Sequence, residues 1–157
     1  MSKDVKQMLS SKIDEKDITL LNILLENARL SARDIAKKAK MSVVTVLNRI
    51  KRLEKNGAIK SYSAIIDHEK LGYDVSAIIE LRISKGKLFE VEEKIAKHKN
   101  VFAIYDVTGD VDAIVVAKFK NTVSLDRFLK KIQRYTFIER TTTKLVLNTI
   151  VEKNIHL

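Results

Sequence analysis

The sequence predicts an α+β protein: a small helical module first, then four strands and two helices in the order strand-helix-strand-strand-helix-strand. Three observations predict it. Apolar residues recur at helical spacing up to about residue 55; they form short β-branched blocks after Gly57; and two amphipathic stretches interrupt those blocks. With 157 residues, 45% of them hydrophobic, the chain can build one ordinary core or two small ones. The boundaries fall after residue 60, with a connector over 61–74 and a second domain over 75–157.

Three helices begin with the same device, a capping residue between an apolar residue just before it and another four positions into the helix. The first has Ile13, Asp14 and Ile18, the second Leu30, Ser31 and Ile35, the third Met41, Ser42 and Val46. Ile18, Leu21, Leu24 and Leu25 make the expected inward stripe of the first helix, and Ile35, Ala36 and Ala39 that of the second. Only Lys40 and Met41 precede the cap of the third helix, so the second and third must cross steeply. The third helix is expected to bury Val43, Val46, Leu47, Ile50 and Leu53, which turns Thr45, Asn48, Arg49 and Arg52 outward together. Asn56-Gly57 closes it.

Charge is concentrated on this module. Residues 1–60 hold 14 Lys and Arg against 7 Asp and Glu, whereas residues 61–157 hold 16 against 13. From Arg29 to Lys60 there are ten basic residues and two acidic ones. Such a stretch attracts a polyanion and gains affinity by counterion release. A basic helix presented behind a tight turn fits the major groove of duplex DNA. Thr45, Asn48 and Arg49 suit base edges, while Lys51, Arg52 and Lys55 suit phosphates. With Ser42 and Val44 at the helix start, the candidate DNA-contacting set is Ser42, Val44, Thr45, Asn48, Arg49, Lys51, Arg52 and Lys55. The bland alternative is a solvated face of a small helical domain.

After Gly57 residues 58–67 read as a strand-like connector and Leu71-Gly72-Tyr73 as a bend. Strands are expected over 75–83, 101–109, 111–119 and 137–151, with amphipathic helices over 87–99 and 123–134. This is the order of a split βαβ, or ferredoxin-like, sandwich. Two helices cover one sheet face only, so the other is expected to meet a second copy of the chain. Thr108-Gly109-Asp110-Val111-Asp112 gathers hydroxyl and carboxylate groups at a strand-strand turn. It suits a ligand carrying an ammonium group, or is a turn rich in Asp and Gly because turns favour them. Thr141-Thr142-Thr143 is equally a run of good strand formers.

Over roughly residues 12–151 the chain resembles the Lrp/AsnC, or feast/famine, transcriptional regulators. The residues that carry the resemblance are Ile13-Asp14 with Asp17; Leu24 through Asn27-Ala28-Arg29; Ile35-Ala36; Ser42, Thr45-Val46, Arg49-Ile50, Leu53-Glu54, Gly57 and Ile59; Leu71-Gly72-Tyr73; and Thr108-Gly109-Asp110 with Asp112. The resemblance implies a winged helix-turn-helix joined to a ligand-sensing sandwich. It also implies binding to promoter or operator DNA, and homodimers that assemble further, as in a tetramer of dimers. An amino acid or related metabolite would bind between dimers, at Tyr105, Thr108, Gly109, Asp110 and Asp112, with Thr141 and Thr143 of a neighbour. Two departures stand out. Lys40 occupies the turn position where such proteins commonly carry glycine, so the backbone is strained there or the turn altered. Val43 and Val44 stand where the family's recognition helix often has proline. Abundant Ile and Lys without Pro or Cys would suit an archaeal source.

Other classes find less support. Without Cys there is no thiolate nucleophile, no disulfide and no cysteine-ligated zinc. His68, His98 and His156 lack metal-ligand spacing, so neither metal nor cofactor is expected. No membrane-spanning run or signal-peptide core is present in the sequence, which reads as cytoplasmic. The alternatives are a DNA-organising protein that senses no metabolite, and an enzyme akin to the tetrapyrrole decarboxylases of similar build.

Overall fold

Asp14 starts the first helix through a reciprocal pair of bonds. Its side chain accepts from Asp17 N–H at 2.9 Å, and Asp17 Oδ2 accepts from Asp14 N–H at 3.1 Å. The computed structural model describes residues 13–153 and 155–157. They form two compact units, one running to Ile65 and including the tail Glu152–Leu157, the other Ile66–Val151. The sequence boundaries put that tail in the second domain. Instead Asn22 holds it, donating to the Leu157 carbonyl at 2.7 Å and accepting from Leu157 N–H at 2.8 Å.

In the first unit α1 is Glu15–Glu26, α2 Ala32–Ala39 and α3 Val43–Lys55. Ser31 and Ser42 cap α2 and α3 by accepting from Asp34 and Thr45 N–H. The core joins Leu20, Ile23, Ile35, Ala36 and Val46, with Leu24, Ala39, Val43 and Ile50 packed against them. On α1 the buried residues are Asp17, Leu20 and Ile23, whereas Leu25 of the expected stripe is exposed. The helix is turned so that its acid, not Leu25, faces inward, because that carboxylate meets two guanidiniums of α3.

Lys40 ends α2 in the left-handed region, φ 52 and ψ 46, and is the one described non-glycine residue with positive φ. The turn therefore keeps a left-handed residue without a glycine, at a steric cost of about 1–2 kcal/mol. Gly57 takes φ 78 just after α3, as its position demanded. Residues 58–67 form no strand. A strand needs a neighbour to take its N–H and C=O groups, and no described segment pairs with this one. Tyr62 anchors it by donating to Glu54 Oε1 at 2.8 Å; burial and that acceptor push the phenol up to about 12.

The second unit contains β1 Val75–Ile83, α4 Leu88–Lys94, β2 Val101–Asp106, β3 Ala113–Phe119, α5 Thr122–Ile132 and β4 Ile138–Val146. The sheet order is β2-β3-β1-β4, with every neighbouring pair antiparallel. It is the predicted sandwich, although α4 and β4 stop several residues short of the expected 99 and 151. Alternation does the packing. Ala77, Ile79, Leu81 and Ile83 of β1 and Ala113, Val115, Ala117 and Phe119 of β3 share a core with Val91 and Ile95, and with Leu125, Phe128 and Ile132 of α5. The intervening residues Ile78, Ile114 and Val116 lie on the opposite face and stay only half-buried. Among the described residues no helix is long and apolar enough to cross a membrane.

Candidate nucleic-acid interface and effector turn

Helix α3 presents a different face from the one its sequence suggests. Val46 and Leu53 are fully buried, with Val43 and Ile50 beside them. The exposed residues are Val44, Leu47, Asn48, Lys51, Glu54 and Lys55, with Glu54 taken up by Tyr62, while Thr45, Arg49 and Arg52 are partly covered. The outward face is thus centred about one residue around the helix from the expected Thr45-Asn48-Arg49-Arg52 stripe. Leu47, expected inside, is 52% exposed.

The cause is an ion network within the module. Arg49 Nη1 donates to both carboxylate oxygens of Asp14 at 2.8 Å and to Asp17 Oδ1 at 2.8 Å. Arg52 Nη2 donates to Asp17 Oδ2. Asp17 is wholly buried, and a buried carboxylate requires paired, hydrogen-bonded cations. Burial alone would raise its pKa, but Asp14 N–H and the two guanidiniums outweigh burial and hold it below the ordinary value. The Arg49 guanidinium likewise holds Asp14 low. Drawing Arg49 out to a base would leave Asp17 one cation, at a cost of up to about 3 kcal/mol. A bidentate guanine contact returns about 1–3 kcal/mol, so the exchange gains nothing. Sequence reasoning missed this role for Asp14, which it read only as a cap, and for Asp17, which entered only through the family resemblance.

The remaining candidates of this helix divide simply. Ser42 and Thr45 share a hydroxyl-hydroxyl bond of 2.8 Å at its N-terminus. Asn48 is free to face a ligand, and neither Lys51 nor Lys55 meets an acid among the described residues. Over this face, then, lysines and not arginines carry the available positive charge.

At the β2–β3 turn Thr108, Gly109 and Asp110 are exposed, and Gly109 has φ 120. Asp112 is not available in the same way. Its Oδ2 accepts from Ile83 N–H at 2.7 Å, where the β1–β4 register shifts, and lies 3.8 Å from Arg82 Nε. Arg82 also donates to the Asp110 carbonyl at 2.7 Å. Asp112 and Arg82 therefore tie the turn to β1, leaving Asp110 as its free carboxylate. Tyr105 pairs in register with Ile114 and is 56% exposed. Thr141 and Thr143 sit two strands away on β4, opposite Leu81 and Ile79, and Thr141 Oγ1 accepts from Gln133. One chain thus brings Tyr105, Thr108, Gly109 and Asp110 to one place and does not bring Thr141 or Thr143 to them. Among the described residues no group of three His, Asp or Glu could hold a metal ion.

Residues 13–60 match the model of a winged helix-turn-helix DNA-binding domain, and residues 76–155 that of the Lrp/AsnC ligand binding domain. An uncharacterised HTH-type transcriptional regulator of Pyrococcus abyssi is 41% identical over 140 residues, spanning 89% of this chain and 95% of its own. E. coli AsnC superposes with a TM-score of 0.86 at 25% identity, over 93% of this chain and 99% of its own. The feast or famine regulatory protein of M. tuberculosis, solved with L-methionine, gives 0.86 at 25% identity, over 92% and 99%. With both domains matched in this order on this fold, the chain belongs to the Lrp/AsnC family: it is a DNA-binding transcriptional regulator, not an enzyme.

Proposed function

We propose that this regulator binds promoter or operator duplex as a homodimer through α3, and that an amino acid or related metabolite alters its assembly or its DNA affinity. The observation that carries the first half is the exposed stripe of Val44, Asn48, Lys51 and Lys55 on a helix presented behind a tight turn. Ser42 and Thr45 stand at the end that approaches base edges, and Lys51 and Lys55 further along suit phosphates. Arg49 and Arg52 contribute by fixing the helix. Dimerisation is supported by the half-buried apolar face of Ile78, Ile114 and Val116 and by segment 58–67, which pairs with no described strand. Two-fold symmetry would be mirrored in a pseudo-palindromic site with half-sites about 34–36 Å apart, or a multiple of that. Dimers of this family form would assemble further, as in a tetramer of dimers, in the cytoplasm.

The sensing half rests on the turn. Exposed N–H groups around Gly109 suit a carboxylate and Asp110 suits an ammonium, the two charged ends of an amino acid; the M. tuberculosis relative was solved with L-methionine. Thr141 and Thr143 would enter from a neighbouring copy. Two measurements test the reading. Light scattering should give a dimer or larger at micromolar concentration, and a monomer would refute the assembly. Calorimetry with the twenty amino acids, followed by DNA binding at several salt concentrations, should find at least one ligand that changes affinity, by no more than its differential binding to the two states.

A further inference from the structure

We infer that α3 reads A·T base pairs, with Val44 and Leu47 against thymine methyl groups and Asn48 on adenine, while Arg49 and Arg52 act as positioning residues. This rests on the DNA-binding reading above and names what that surface recognises. The N-terminal residues of a recognition helix are the ones that meet base edges. In this half of α3 the exposed side chains are Val44, Leu47 and Asn48, the first two 68% and 52% exposed. Neither apolar residue belongs to the module's core. Across the major groove a duplex offers one apolar group, the C5-methyl of thymine. Asparagine matches the N7 acceptor and N6 donor of adenine. Two aliphatic side chains and one amide, all exposed, therefore converge on one kind of base pair.

The arginines of this helix, the most versatile guanine readers, are already engaged. Arg49 has its Nη1 held by Asp14 and Asp17, and Arg52 its Nη2 held by Asp17, so neither guanidinium is free without uncovering a buried carboxylate. Lys51 and Lys55 lie one and two turns further along, beyond the apolar pair, with charge that suits phosphates. Isolated exposed leucines are ordinary on protein surfaces. An exposed Val and Leu three residues apart, between a helix N-terminus and two lysines that meet no acid among the described residues, make a contiguous apolar step with charge at its C-terminal end. That step commits to DNA as its occupant.

The test uses the full-length protein and a duplex that it enriches from a random-sequence pool. Thymines of the enriched half-site are replaced by uracil, which removes only the methyl group. Guanines are separately replaced by 7-deazaguanine, which removes the acceptor an arginine needs. Each contacted methyl should be worth about 4-fold in affinity, so uracil should weaken binding by that factor or its square. The deaza duplex should bind as before. In the double variant Val44→Ala, Leu47→Ala the thymine-to-uracil ratio should fall to about one. Both residues are exposed, so the variant should fold and assemble like wild type. Equal affinity for thymine and uracil duplexes, or weakening by 7-deazaguanine, overturns the inference. So does a double variant that changes assembly but keeps the thymine preference. If the wild type retains duplexes without enriching any sequence, this inference fails alone; if it retains none at low salt, the DNA-binding reading fails with it.

Discussion

Arg49 Nη1 lies 2.8 Å from Asp17 Oδ1, and Asp17 is the fully buried acid of the helical module. The pair joins α3 to the capped start of α1, and Arg52 on the next turn adds a second guanidinium to the same carboxylate. A structural lock and the proposed DNA-facing surface therefore share one helix. The lock decides which residues are left to face outward. Its outward consequence is a surface with lysines, an amide and two apolar side chains in place of arginines.

The lock is testable through pH. Asp14 and Asp17 both have folded pKa values below the ordinary carboxylate range. Groups lowered in this way add stability above their unfolded pKa of about 3.9 and lose it as pH falls through the folded values. Thermal stability should be flat in this respect between pH 7 and 5, then fall below about pH 4. Asp17→Ala should cost about 3 kcal/mol at neutral pH, because Arg52 loses its acid and Arg49 keeps only Asp14, and should flatten the acid limb. Urea unfolding against pH checks both; an unchanged midpoint would show that the network holds nothing.

Lys40 offers a stabilising substitution. Its φ of 52 is costly for any side chain with a Cβ, by about 1–2 kcal/mol, and glycine recovers most of that. Glycine also loosens the unfolded chain, which offsets about 0.4–1 kcal/mol. Lys40→Gly should therefore raise stability by about 0.5–1 kcal/mol in denaturant titration. A loss would mean that the Lys40 side chain makes a contribution its exposed position does not reveal.

How legible all this was in the sequence depended on the range of the interaction. The caps at Asp14, Ser31 and Ser42, the turn at Lys40, the left-handed Gly57 and strand β1 follow from neighbours within a few positions, and the sequence predicts each of them. The strand order β2-β3-β1-β4 follows from the alternation of strands with amphipathic helices. What could not be read was set by partners about 35 positions apart. Arg49 belongs to Asp14 and Asp17, and nothing in helical periodicity distinguishes an arginine turned to DNA from one turned to a neighbouring helix. The same holds for Asp112, whose acceptor role toward Ile83 depends on pairing across the sheet. Segment 58–67 has the composition of a strand, yet composition supplies no partner strand.

Salt dependence separates phosphate contacts from structural cations. Lys55 is exposed and meets no acid among the described residues, so Lys55→Ala should weaken binding to all duplexes alike and reduce the slope of log K against log salt by about 1. The same measurement on Arg52→Ala should show a loss of folding stability before any change in slope, because that guanidinium serves Asp17. Filter binding between 50 and 200 mM salt is sufficient. A slope unchanged in Lys55→Ala would remove it from the interface.

The two turn carboxylates should respond differently to removal. Asp112 accepts from Ile83 N–H at 2.7 Å and faces Arg82, so Asp112→Ala leaves a backbone donor unmatched and should destabilise the sandwich by about 1–2 kcal/mol. Asp110 contributes only its carbonyl to the turn, accepting from Arg82, and its side chain is exposed. Asp110→Ala should therefore leave thermal stability and basal DNA binding near wild type, because the Arg82 bond to the backbone survives. If the ammonium of an amino acid sits against Asp110, the same variant should lose the thermal shift that the wild type shows with that ligand. Screening both variants and the wild type against the twenty amino acids gives the comparison directly. An Asp110→Ala protein that responds as the wild type does would move the ammonium site away from this turn. A wild type that responds to none would leave the turn as a structural feature, held by Asp112 and Arg82 for the sake of the sheet.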